Sequence, residues 1–349
     1  MNVMNYTSTR LFFLVSVFVM LLNSSRSFAQ QDAQFSQYMF NGMFLNPGFA
    51  GIEGVTKVTG IARTQWTGYQ VTQGDNAYGS PKSAVITIST PTPFLNKKLG
   101  LGLHFLRDVR GPLASTEFQL SGAYHVKIRD GVLGLGLRSG ILSQTINANY
   151  NVVDPNDPIY QALQQGKANQ IKLDLTAGAW YKTSKFYVGL SIGHIPQSKY
   201  TFGLDSLSSR VNNHVYLTGG YNFRVGPSLV VTPTALIQTD IHEWTYLFGG
   251  MVTYNDRFWA GLQARQSIAA KDAQSGGKTL SNDDVILLVG FSMLKNNALK
   301  VGYAFDFVTS GVDAKKRTSH EIMLSYFVPA PWDQPKPKVR TPRYRHEEN

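Results

Sequence analysis

Short runs that alternate apolar with small or polar residues are separated by connections whose lengths themselves alternate, and this limits the chain to very few folds. In residues 98–107 (KLGLGLHFLR), Leu99, Leu101, Leu103 and Phe105 share one face, with Gly100, Gly102 and His104 on the other. Residues 132–141 repeat the pattern through Leu133, Leu135 and Leu137. Residues 299–307 set Leu299, Val301, Tyr303, Phe305 and Phe307 against Lys300, Gly302, Ala304 and Asp306. Successive side chains of a strand point to opposite faces, so each run suits a wall between lipid and an aqueous lumen. A half-buried strand of a soluble sheet alternates in the same way, and the connections therefore decide.

Strands are predicted near residues 55–66, 82–91, 98–110, 113–129, 131–147, 171–183, 185–195, 211–225, 227–240, 243–254, 257–270, 283–293, 298–308 and 320–328. That is about fourteen, an even number, as closed bacterial barrels have. From the fourth strand onward alternate connections are tight: Arg129-Asp130-Gly131, Thr183-Ser184, Val225-Gly226, Asn255-Asp256 and residues 294–297. Most of the others are long, at 148–170, 196–210, 271–282 and 309–319, although 240–242 is short where a long one is due. Short turns at one end and long loops at the other predict an all-β fold, an up-and-down antiparallel transmembrane β-barrel, rather than a sandwich. Past the first thirty residues no apolar run approaches the ~18 residues of a helical span. Trp66, Trp180, Trp244 and Trp259 fall near strand ends, where they suit either interfacial girdles or lumen packing.

The two ends of the chain do not follow this pattern. Residues 1–29 read as an export signal, with Arg10, an apolar run at 11–22 and a polar stretch at 23–29, and cleavage is predicted before Gln30. The apolar run is too short for a helical span, which needs about 20 residues. The chain has no Cys, which rules out a lipid-modified cysteine, disulfides and thiolate metal sites. Residues 30–54 are aromatic, rich in Asn and Gln and do not alternate; they suit a lumen or periplasmic segment that plugs the barrel, or a frayed leader. The barrel is expected over residues 55–328. Residues 329–349 form a basic, Pro-rich tail predicted to hang extended in the periplasm. Trp332, Lys336, Lys338, Arg340, Arg343 and Arg345 are its candidates for docking to a periplasmic protein, the alternative being an unstructured end. The net charge of +11 fits a barrel rim and this tail better than a nucleic-acid partner, which an exported protein rarely meets.

No reaction centre is legible. The glycines at 100–102 and 134–136 lack the strand–turn–helix setting of a dinucleotide site and read as glycines of barrel strands. Gly277-Lys278-Thr279 resembles the end of a phosphate loop, but Asp272 stands where its first glycine belongs. The seven histidines are spread singly, without metal-ligand spacing, and no nucleophile elbow occurs. Residues 154–158 (DPNDP) offer oxygen ligands that could take Ca²⁺, but turn chemistry alone accounts for them and is the favoured reading. No cofactor, metal or catalytic residue is expected.

Residues 31–51 (QDAQFSQYMFNGMFLNPGFAG) resemble the opening pattern of the PorP/SprF family of outer-membrane proteins, associated with type IX secretion in Bacteroidota. The resemblance continues through Arg63-x-Gln65-Trp66-x-Gly68 and residues 99–111, 121–137, 185–194, 301–306 and 319–327. It implies an outer-membrane component or accessory of type IX secretion that supports export or surface attachment of partner proteins, gliding adhesins among them, and that is not an enzyme. Gln34, Phe35, Ser36, Gln37, Tyr38, Asn46, Pro47, Arg63 and Trp66 become the candidates for plug and partner contacts. Expected partners are the secretion machinery, an exported surface protein, outer-membrane lipid and periplasmic proteins reached by the tail. The competing reading is an outer-membrane pore or transporter for small compounds, hydrophobic ones among them.

Overall fold

A computed structural model describes residues 32–73, 76–146, 169–202, 209–268, 280–309 and 317–328, with 156 and 161 between them. The stretch read from the sequence as an export signal, Gln30, most of the 154–158 loop, Gly277-Lys278-Thr279 and the tail with its six docking candidates lie outside the described residues. Fourteen antiparallel strands form one closed wall: β1 (Thr56–Thr64), β2 (Lys82–Pro91), β3 (Leu99–Arg110), β4 (Leu113–Ile128), β5 (Gly131–Ile146), β6 (Asn169–Lys182), β7 (Phe186–Gly193), β8 (His214–Tyr221), β9 (Leu229–Thr239), β10 (Trp244–Tyr254), β11 (Phe258–Ile268), β12 (Leu280–Met293), β13 (Leu299–Val308) and β14 (Ser319–Val328). Each pairs with its neighbours in sequence, and β1 closes the wall on β14 from Thr56 opposite Val328 to Thr64 opposite His320. A three-residue piece, Phe223–Val225, continues the line of β8 along β9 past a break at Asn222.

The pairing is the up-and-down order expected from the connections. One end of the barrel carries the tight turns, such as Asn255-Asp256, where both residues have positive φ as a two-residue type I′ turn requires. The other end carries most of the long connections, with Gly111-Pro112 and residues 240–243 its two tight turns. The third strand bears out the face assignment: Leu101 and Phe105 point outward, while Gly100, Gly102 and His104 are buried within. Outward leucines, valines and phenylalanines continue around the whole wall, with Leu137 and Leu173 each 70% exposed. So broad an apolar belt is a membrane-facing surface, since a soluble protein leaves only small patches uncovered. Among the described residues no helix is long and apolar enough to cross a membrane.

The belt sets a first expectation. Leu137→Arg places a charge on the outward face near the middle of β5, and should cost about 2–4 kcal/mol of barrel stability in a bilayer. Urea unfolding in lipid vesicles measures it, and an unchanged midpoint would contradict the lipid-facing assignment.

Candidate functional site

The lumen is filled by the N-terminal segment. Residues 32–54 run from the long-loop end, where Asp32 meets His194 and His214, to the short-turn end, where they join β1. Local chemistry breaks this stretch into tight pieces. A 3₁₀ turn at Tyr38–Phe40 leads into one helical turn, Gly42–Leu45, whose N-cap Asn41 accepts from the amide of Phe44 at 3.3 Å. Asn46 then caps a second 3₁₀ turn, Pro47–Phe49, with proline at its first position. Phe35, Ser36, Gln37, Tyr38, Asn46 and Pro47 are all buried. Burial pushes the Tyr38 phenol up to about 12, so it stays neutral at physiological pH.

The middle of the plug is held by a buried charge cluster. Arg63 on β1 pairs with Asp306 on β13 at 2.6 Å and with Glu321 on β14 at 3.4 Å. Arg265 on β11 pairs with Asp284 on β12 and, at 3.2 Å, with Asp306. A bulge in the β11–β12 ladder falls between Arg265 and Gln266, a device that commonly re-aims a side chain. Ser36 sits at the centre. Its hydroxyl accepts from Arg63 at 2.7 Å and Arg265 at 2.9 Å and faces both carboxylate oxygens of Asp306, at 2.9 and 3.0 Å. The amides of Ser36 and Gln37 each donate to Glu321 at 2.8 Å. One serine and two peptide groups of the plug thus complete a network whose other members come from five strands.

Asn46 anchors the lower half. Its amide nitrogen donates to the carbonyls of Ala179 and Leu190, both at 2.9 Å, and its oxygen accepts from Gly48 at 2.8 Å. The backbone comes this close because the wall beneath it is bare. Gly100, Ala123, Gly136 and Gly178 are directly opposite one another across β3 to β6. A Cβ on Gly136 would lie 2.4 Å from the amide nitrogen of Gly48, and one on Gly100 would lie 2.0 Å from the carbonyl oxygen of Ala50. Arg138 donates to the carbonyls of Met43 and Phe44 at 3.2 and 3.0 Å, and His125 meets the Ala50 carbonyl at 2.8 Å. Asn46→Ala should therefore cost about 1–3 kcal/mol, because it strips partners from groups that remain buried. The readout is the unfolding midpoint of the barrel in detergent, and parity with wild type would show that Asn46 carries no anchoring load.

Below the plug, the short-turn end opens into a vestibule of about 840 Å³. Lys57, Lys182, Lys185, Arg224 and Lys300 line it against Glu53 and Asp256, and Phe40, Phe49, Trp180, Tyr187, Phe223 and Phe327 supply aromatic surface. Glu53 pairs with Lys182 at 2.6 Å. Burial opposes its ionisation, but Lys57 and Lys182 outweigh that and hold its carboxyl below the usual range.

At the long-loop end the carboxylate of Asp32 lies 3.1 and 3.2 Å from His194 Nε2, and its amide faces His214 Nε2 at 3.3 Å. Tyr216 donates to the same carboxylate. His194 Nδ1 meets Asp174 at 3.0 Å. Burial disfavours the charged ring, yet Asp32 and Asp174 together raise its pKa well above the ordinary histidine value.

The candidate residues from the sequence divide by position. Gln34 to Tyr38, Asn46, Pro47 and Arg63 gather along the plug, with Gln34 reaching Thr245 at 3.4 Å. Trp66 stands apart beyond β1, where its amide donates to Ser319 at 3.1 Å. Of the tryptophans, Trp180 and Trp259 pack inward on Phe49 and Phe40, each with ring centroids 5.2 Å apart, whereas Trp244 is 40% exposed. Sequence reasoning missed Glu321, Asp306 and Arg265, and also the meeting of two separate histidines with Asp32. Polar residues at inward positions of apolar strands were the available signal for the first three.

Residues 27–326 match the family model described as type IX secretion system membrane protein PorP/SprF. No curated protein sequence matches significantly. Among solved structures the chain is similar to the CymD monoaromatic hydrocarbon channel, at 12% identity over 81% of this chain and 90% of that one, with a TM-score of 0.46. A TodX monoaromatic hydrocarbon channel mutant gives 10% identity over 82% and 93%, with a TM-score of 0.48. A Pseudomonas aeruginosa FadL homologue gives 12% over 78% and 90%, with a TM-score of 0.44.

Proposed function

Since the chain belongs to the PorP/SprF family of type IX secretion system membrane proteins, we propose that it is a plugged outer-membrane barrel that supports export or surface attachment of partner proteins, gliding adhesins among them. The plug supports this reading over that of a pore. Residues 32–54 are bonded to strands all around the wall, and a large cavity opens at the short-turn end, below them. A conduit for small compounds would need this segment displaced.

In this proposal the short-turn end faces the periplasm, as in bacterial barrels generally. The basic, aromatic vestibule then receives an acidic segment of the secretion machinery, and the tail that starts just past Phe327 adds to that contact. The long loops engage the exported partner outside. Deleting the gene and assaying surface adhesins and gliding tests the role, and unchanged export of all type IX cargo would sink it. Lys182→Glu combined with Lys300→Glu tests the vestibule. Cargo display should fall while barrel abundance in the outer membrane holds, and undiminished display would remove the vestibule from the proposal.

A further inference from the structure

We infer that Asp32, His194 and His214 form a zinc site that pins the start of the plug to the long-loop end of the barrel. One ligand atom from each of the three lies within 4.8 Å of the others. Tetrahedral zinc with bonds of about 2.0–2.1 Å places its ligands roughly 3.3 Å apart. His194 Nε2 stands 3.1 Å from Asp32 Oδ1, close to that spacing. The two rings lie 5.4 Å apart and nearly perpendicular, at 83°.

The outer contacts point the same way. A metal-bound histidine usually gives its second ring nitrogen to a carboxylate or a backbone carbonyl, which fixes tautomer and orientation. His194 Nδ1 is held by Asp174 at 3.0 Å, and His214 Nδ1 by the carbonyl of Asn212 at 3.2 Å. His194 Nε2 is thereby left facing the Asp32 carboxylate, and His214 Nε2, which accepts from the Asp32 amide at 3.3 Å, exchanges that contact for the ion. Asp174 is itself fixed by Gln119 at 2.6 Å. Beside the three residues lies a cavity of about 30 Å³, also lined by Glu117, with room for one water as a fourth ligand. Two imidazoles, one carboxylate and a water suit Zn²⁺ far better than Ca²⁺ or Mg²⁺, which prefer all-oxygen shells. The bound ion would join the end of β7, the start of β8 and the plug.

The test is zinc titration of the full mature barrel in detergent after chelator treatment, read by calorimetry and by bound metal per chain. One equivalent should bind. His214→Ala should weaken binding by on the order of 100-fold, and Asp174→Asn, which keeps all three ligands, by on the order of 10–100-fold. His242→Ala, in the 240–243 turn, should bind as wild type does. Heat-dependent gel mobility confirms that each variant is a folded barrel. The inference is overturned if the folded wild type takes up no zinc, or if His214→Ala and His242→Ala bind it equally.

Discussion

Arg63→Met is expected to loosen the plug and to destabilise the barrel by about 3–5 kcal/mol, the usual cost of removing one partner from a buried ion pair. In the native protein the guanidinium faces Asp306, Glu321 and the Ser36 hydroxyl, with side-chain exposures of 2%, 0% and 0% for the three charged groups. Methionine fills the volume but leaves Arg265 alone against three acids, Asp284, Asp306 and Glu321. The penalty then falls on the contacts that hold Ser36 and Gln37, because those amides depend on Glu321 staying in position. Two readouts apply. The unfolding midpoint of the barrel in detergent should drop, and a protease should cut within residues 32–54 that wild type protects. Adding Asp284→Asn restores the original charge balance without touching a plug contact, since Asp284 bonds Arg265 alone among these groups. Partial recovery in the double variant is therefore expected. A single variant within about 0.5 kcal/mol of wild type, the range of ordinary surface changes, would show that the cluster does not hold the plug.

The wall was legible in the sequence because its constraints are local. Leu99 to Phe105 alternate because lipid and lumen lie on opposite sides of one strand, and Asn255-Asp256 announces its own turn. The plug was legible only as a segment that fails to alternate. What it touches is set by register across distant strands. Arg63 stands opposite Glu321 in the β1–β14 ladder, Glu321 opposite Ala304 in the next, and Arg265 opposite Asp284. A slip of one residue in any of these ladders would turn one member outward, so no spacing along the chain encodes the cluster. The histidines are hidden for the same reason. His194 follows the last residue of β7 and His214 begins β8, on either side of a long connection, and Asp32 reaches them only by crossing the lumen. Lysines at 57, 182 and 300 likewise meet only where their strands reach the same rim.

The glycines show how a residue read as wall also carries the plug. Gly136→Ala adds one inward methyl group at β5, and its Cβ would lie 2.4 Å from both the Gly48 amide nitrogen and the Pro47 carbonyl carbon. Both are backbone atoms, so no rotamer change relieves the clash. The wall cannot yield either, because Gly136 is paired on both sides, to Ala123 and to Gly178. The Asn46–Gly51 stretch must lift away, which strains the two Asn46 bonds to Ala179 and Leu190. A cost of about 1–3 kcal/mol is expected, the common range for overpacking, together with new protease sensitivity in the plug. Gly122→Ala is the matched control. It lies on the adjacent strand, faces outward, and its Cβ would meet nothing within 4 Å. Both changes add a methyl group to a strand and improve its intrinsic preference equally, so only the plug distinguishes them. Equal midpoints and equal protection for the two variants would mean that the plug backbone does not rest on the row of small residues from Gly100 to Gly178. A midpoint lowered in Gly136→Ala alone, with cleavage between Asn41 and Gly54, is the result the packing requires.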